Sequence, residues 1–107
     1  MAELGIPVVS EAFSGSGNSG NTITQSLETT ALAVDAGQTV YTYTATGTVG
    51  QSATVLGSND GTNWITIGKL TVAADAASGQ NIDAFSAIHA FKYIKKSGVA
   101  VVSVSRG

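Results

Sequence analysis

One hairpin limits what this chain can fold into. Val55-Leu56-Gly57-Ser58-Asn59-Asp60-Gly61-Thr62-Asn63-Trp64-Ile65-Thr66-Ile67 joins two apolar runs through a turn-forming pentapeptide, with the chain's only tryptophan just beyond it. Asn and Asp tolerate left-handed backbone and bond to their own main chain, and Gly61 supplies positive φ. Apolar runs on either side of such a turn predict an antiparallel pair, and the fold class that follows is all-β.

The rest of the chain repeats that grammar of short strands and turns. Thr22 to Val34 is rich in Thr, carries Ile23, Leu27, Leu32 and Val34, and ends in the turn chemistry of Asp35-Ala36-Gly37-Gln38. The clearest alternation runs through Thr39 to Val49: Tyr41, Tyr43 and Ala45 point one way, Val40, Thr42, Thr44 and Thr46 the other. One of those faces packs, and the other meets solvent or a partner. After the turn, Trp64, Thr66, Gly68 and Leu70 share one side and Ile65, Ile67, Lys69 and Thr71 the other. Ala73-Ala74-Asp75-Ala76-Ala77 predicts one helical turn stopped by Gly79. Gln80 to Phe85, Ala90 to Lys95 and Val99 to Ser105 read as further strands, with a turn at Ser97-Gly98. About eight strands without an amphipathic helix of useful length predict a single β-sandwich over residues 22–107, of jelly-roll or immunoglobulin-like type.

Residues 1–21 differ in kind and predict an extended N-terminal arm. Leu4 to Val9 is a short apolar run broken by Pro7, which suits an arm or an edge rather than a central strand. Phe13-Ser14-Gly15-Ser16-Gly17-Asn18-Ser19-Gly20-Asn21 has little apolar surface to hold it against its own domain, so a neighbouring subunit is its natural support. Ile6, Pro7, Val8, Val9 and Phe13 are the expected interface residues of that arm, with Tyr41 and Tyr43 as a second, weaker patch.

Charge narrows the range of partners. Charged residues are 11% of the 107-residue chain, against about 25% in an average domain, while Ala, Gly, Ser and Thr abound. A net charge of −2 is too small for a nucleic-acid footprint or a polybasic membrane anchor. Glu3, Glu11, Glu28 and Asp35 give residues 1–53 a charge of −4; Lys69, Lys92, Lys95, Lys96 and Arg106 against Asp60, Asp75 and Asp83 give residues 54–107 a charge of +2. Opposite halves can steer copies head to tail, and a surface of short side chains is covered at low entropy cost. A homo-oligomer is therefore expected, with a trimer among the options. Met1 to Val9 has neither a basic region nor a long apolar core, and no run reaches the roughly 20 apolar residues of a membrane span, so a soluble protein without an export signal is expected.

No constellation for catalysis stands out. The chain has no cysteine, hence no disulfide, no thiolate zinc site and no thiol nucleophile. The single His89 has no second histidine to share a metal with and reads as a surface or loop residue. Asp60, Asp75 and Asp83 are dispersed, and the Gly/Ser tract at 15–20 lacks the Lys-Ser/Thr and helix of a phosphate loop. One carboxylate among Asn59 to Asn63 is few for calcium. The expectation is a non-enzyme with no cofactor, no metal and no catalytic residue. Trp64, Phe85, Phe91 and Tyr93 are assigned to core filling, although exposed aromatics on a sandwich would stack on sugars.

The order Gly57-Ser58-Asn59-Asp60-Gly61-Thr62-Asn63-Trp64, then Phe85-Ser86-Ala87, then Tyr93-Ile94-Lys95 resembles the G-S-x-D-G-x-N-W … F … Y-I-(K/R) pattern of small β-sandwich structural proteins of tailed bacteriophages. It is also similar to part of the discoidin-type, galactose-binding-like jelly roll. The resemblance covers roughly residues 40–105. The chain is shorter than a discoidin domain and lacks its terminal cysteines, so no lectin or lipid-binding residue carries over. The phage resemblance implies a virion role such as head decoration or cementing, with the major capsid protein as partner, a place on the capsid surface and assembly in the host cytoplasm. Two alternatives stand beside it: a carbohydrate-binding module on head or tail, and a tail or head-completion component.

Overall fold

Nested pairing explains the whole architecture. The computed structural model describes residues 23–34 and 39–106, and within them nine strands: β1 (Ile23–Leu27), β2 (Leu32–Ala33), β3 (Thr39–Thr46), β4 (Ser52–Ser58), β5 (Ile65–Thr71), β6 (Ala73–Asp75), β7 (Gln80–His89), β8 (Tyr93–Gly98) and β9 (Val101–Arg106). The hairpin β4–β5 is the centre of a long antiparallel ladder. Outward from it β3 pairs β7, β2 pairs β8 and β1 pairs β9, like one ribbon folded at the Asn59–Asn63 turn. Rolling that ribbon brings β9 against β3 and β8 against β4. The result is two packed sheets, ordered β1-β9-β3-β7-β6 and β2-β8-β4-β5. Of the two topologies the sequence left open, this strand order is the jelly roll, with β6 added at one edge.

The core lies between the sheets and follows the period of two. Tyr41, Tyr43 and Ala45 of β3, Ala53 and Val55 of β4, and Val102 and Val104 of β9 are buried, joined by Leu27, Leu32, Leu70 and Ile94. Each fully buried Val, Leu or Ile contributes about 1.5–3 kcal/mol, the main term against chain entropy. Two positions are filled from across the sandwich. A Cβ at Gly68 would stand 2.5 Å from the Phe85 ring, and one at Gly57 would overlap the ring of Phe91, so these glycines make room for aromatics of other elements.

Three expectations about local structure need correction. Ala73 to Asp75 is a strand, because its backbone finds partners on β7; the turn after it is closed by Asp75, whose Oδ1 accepts from Ala77 N at 3.0 Å. The strand expected at Gln80 to Phe85 continues to His89, and the one expected at Ala90 to Lys95 runs from Tyr93 to Gly98. The ladder from Val55↔Gly68 to Leu56↔Thr66 skips Ile67, a bulge that reverses the inward and outward sense of everything before it on β5. Trp64 therefore departs from the side it was expected to share with Leu70.

Candidate functional site

Four places carry the chemistry of this sandwich: the Ser58–Asn63 loop, a polar contact in the core, and the two outer faces.

The loop is held by its own short-range bonds. Asp60 Oδ1 accepts from Ser58 Oγ at 2.9 Å and from the backbone N–H groups of Thr62 and Asn63, each at 2.8 Å. Its Oδ2 accepts from Asn63 Nδ2 at 2.7 Å, while Ser58 Oγ accepts from Gly61 N at 2.9 Å. Donation from the Asn63 backbone, then the Thr62 backbone and the Asn63 and Ser58 side chains, holds the Asp60 carboxyl well below the ordinary carboxylate range. Gly61 adopts φ +77°, as the turn chemistry requires. Lys92 N donates to Asn59 Oδ1 at 3.1 Å, which ties the loop to the β7–β8 connection. Asp60 thus serves as an internal cap of the turn. Among the described residues no group of three or more His, Cys, Asp or Glu side chains is placed to hold a metal.

Inside the sandwich, Tyr43 Oη and His89 Nε2 lie 2.6 Å apart, and the His89 ring stacks on Tyr41 with centroids 4.3 Å apart. Phe85 flanks Tyr43 and Phe91 flanks His89. Whichever group donates, His89 Nδ1 has no hydrogen-bond partner. Burial lowers the His89 pKa to about 4, so the ring is neutral at pH 7. Burial first, and Tyr41 second, pushes the Tyr43 phenol above its ordinary range. The pair is a polar contact sealed between sheets.

This arrangement corrects two expectations together. Tyr41 and Tyr43, assigned to a surface patch, are both 0% exposed and form the heart of the core. His89, read as a surface residue, ends β7 pointing inward and is 9% exposed. The physical reason is the ladder: Tyr41 and Tyr43 sit opposite Val104 and Arg106 on β9, and all four point between the sheets. The other expected interface residues, Ile6, Pro7, Val8, Val9 and Phe13, lie outside the described residues.

The outer face of the five-stranded sheet is what the alternation on β3 leaves outward, and the register sorts it into five rows. Val40 pairs Ile88; Ser105, Thr42 and Ser86 form the next row; Ser26, Ser103, Thr44 and Ala84 the third; Val101, Thr46, Ile82 and Ala73 the fourth; Gln80 and Asp75 close the face at its β6 corner. The first four rows hold no charged side chain, and Asp75 stands at the rim. Ile88 is 63% and Val101 55% exposed, at opposite ends, and Thr42 Oγ bonds Ser86 Oγ at 2.8 Å across the strands.

The outer face of the four-stranded sheet has a different character. Leu56, Lys95 and Thr66 form one row, Thr54, Ser97 and Lys69 another, and Tyr93 pairs Ser58 and Ala33. Because of the bulge, Trp64 comes to this side, where Lys95 Nζ lies 4.2 Å from its ring centroid. The Tyr93 ring stands against Gly61 of the loop. Of the four aromatics assigned to the core, Phe85 packs against it, whereas Trp64 and Tyr93 are half-buried on this outer face and Phe91 is half-buried beside Gly57.

No known protein family matches the chain, and no curated protein matches it. The two faces and the loop therefore stand on their own geometry. The expected partner patch on the tyrosine side of β3 is buried, and the side open to a partner is that of Val40, Thr42, Thr44 and Thr46. The usable signal was size: where bulky aromatics alternate with threonine, the aromatics fill the core.

Proposed function

We propose that this chain is a non-enzymatic structural protein of a phage virion, of the decoration or cement type, which stabilises the head by covering joints between capsid subunits. The observation that carries this reading is the outer face of the five-stranded sheet, four rows of Thr, Ser, Ala, Val and Ile with Asp75 at one corner, on a domain with few charges elsewhere. Covering those four rows costs little side-chain entropy and desolvates no charge. The arm, residues 1–21, is the proposed capsid clamp, with Ile6, Pro7, Val8, Val9 and Phe13 as its contacts, and the sheet face serves the homo-oligomer. Weak contacts of this kind become strong when many copies act on one shell.

Copy number tests the role: a stained gel of purified virions should show this protein at a level comparable to the major capsid protein. A few copies per particle would instead mark a tail or head-completion component. Deleting residues 1–21 should leave a folded domain that no longer cosediments with heads, and retained binding would overturn the clamp.

A second reading has its own observation. Trp64, Tyr93 and Lys95 lie together on the opposite face beside the Asn59–Asn63 loop, a polar and aromatic surface of the sort that stacks on sugars. A glycan array with no signal, together with unchanged Trp64 fluorescence on adding its strongest candidates, would remove it.

A further inference from the structure

The four uncharged rows on the outer face of the five-stranded sheet, bounded at one corner by Gln80 and Asp75, read the same from either end. Val40 and Ile88 make one terminal row, and Val101, Thr46, Ile82 and Ala73 the other. Between them lie two rows dominated by hydroxyls: Ser105, Thr42 and Ser86, then Ser26, Ser103, Thr44 and Ala84. The sequence of chemistry is aliphatic, hydroxyl, hydroxyl, aliphatic. We propose that this face is a self-complementary docking surface whose occupant is a second copy of the chain, packed face to face about a two-fold axis in the plane of the contact.

A two-fold contact requires a patch that matches itself. An axis across the strands sets the first row on the fourth and the second on the third; an axis along the strands sets each row on its own copy. Both lay aliphatic rows on aliphatic rows and hydroxyls on hydroxyls. The placing of charge matters equally, because the four rows of two copies of net charge −2 meet without burying an unpaired charge, Asp75 staying at the exposed rim on β6. Thr, Ser and Ala are short enough for two sheets to approach to the usual spacing of about 10 Å.

Size fits the same occupant. The thirteen residues of these rows, on a grid of about 4.8 Å by about 6.7 Å, cover roughly 400 Å² per copy, or roughly 800 Å² for the pair. That is the size of a weak contact, so the pair forms reversibly, with a dissociation constant in the range of about 10 µM to about 1 mM. The inference rests on the homo-oligomeric state proposed above and names its surface; capsid binding by the arm is a separate question.

Sedimentation equilibrium on the purified full-length chain, between about 1 µM and about 1 mM, provides the test. The average mass should rise from one chain towards two. Thr44→Lys, which sets a cation in a hydroxyl row of each copy, should weaken association at least about tenfold. Ile88→Ser, a milder change at an exposed position, should weaken it by about threefold to fivefold and keeps the test open if Thr44→Lys fails to fold. Thr66→Lys on the opposite face should leave it unchanged, with circular dichroism confirming that each variant is folded. A wild-type monomer throughout, or association abolished by Thr66→Lys and untouched by Thr44→Lys and Ile88→Ser, overturns the proposal. The virion copy number would still decide the structural role in either event.

Discussion

The two outer faces of this sandwich are cut from one ribbon and differ in almost every respect. On the five-stranded side the β3, β7 and β9 ladders run without interruption, so side chains fall into straight rows of short uncharged groups. On the four-stranded side one extra residue, Ile67, breaks the β4–β5 register and carries Trp64 outward to meet Lys95. Regular pairing produces a surface that can be covered, and a bulge produces a surface with a local cluster. The difference shows that one residue of register decides which chemistry a sheet presents.

Removing the bulge is the most direct way to break the comparison. Deleting Ile67 would restore uninterrupted pairing with Thr66 still opposite Leu56 and Trp64 still outward, but would remove an aliphatic side chain that packs against the core and force β5 to straighten. We expect a loss of about 3–5 kcal/mol, read from urea unfolding, or failure to fold at 37 °C. An unchanged midpoint would show that the bulge is incidental.

Next in size is the inner packing that lets the two faces lie parallel. Gly68→Ala would drive a methyl into the Phe85 ring and should cost about 1–3 kcal/mol, with the thermal midpoint falling accordingly. Acid should reach the core beneath the five-stranded sheet by a different route. His89 is held neutral with its pKa lowered to about 4, whereas the unfolded chain takes up a proton near pH 6.5. Stability from this group is therefore fully present above pH 6.5 and is lost as pH falls through about 4, by about 2–3 kcal/mol. The difference between wild type and His89→Phe unfolding curves across that window isolates the effect, and parallel curves would refute it. Asp60, whose carboxyl is held low by the loop's donors, acts in a separate window: its contribution is lost only below the ordinary carboxylate range.

Smallest are the surface contacts themselves. Lys95→Met removes the cation over Trp64 and should cost about 0.5–1 kcal/mol while altering Trp64 fluorescence. Thr42→Val removes the exposed bond to Ser86 and should stay within about 0.5 kcal/mol, since the face is built for coverage rather than for internal strength. A larger effect of Thr42→Val than of Lys95→Met would reverse the assignment of the two faces.

Much of the fold was legible in the residues. The turn at Asn59–Asn63 was readable because its bonds are local: every Asp60 partner lies within three residues of it. The alternation of Tyr41, Tyr43 and Ala45 against Val40, Thr42, Thr44 and Thr46 was readable for the same reason, since a strand's period needs no knowledge of its partner. The direction of that alternation was legible only in side-chain size, and the candidate site that depends on it was not legible. Tyr43 meets His89 across 46 residues of chain, and the outer rows join segments as distant as Ser26 and Ala84.

By itself the sequence determined an all-β chain, its central hairpin, its low charge and its alternating strands, because turn chemistry and the two-residue period act over a few bonds. Tertiary structure alone decided that His89 lies inside against the tyrosines, that Trp64 lies outside, and that short hydroxyl and aliphatic groups line up in rows. The physical reason is register: which side of a strand is buried is settled by the partner it pairs with and by any bulge in that pairing. In a rolled ribbon the partner lies far away along the chain.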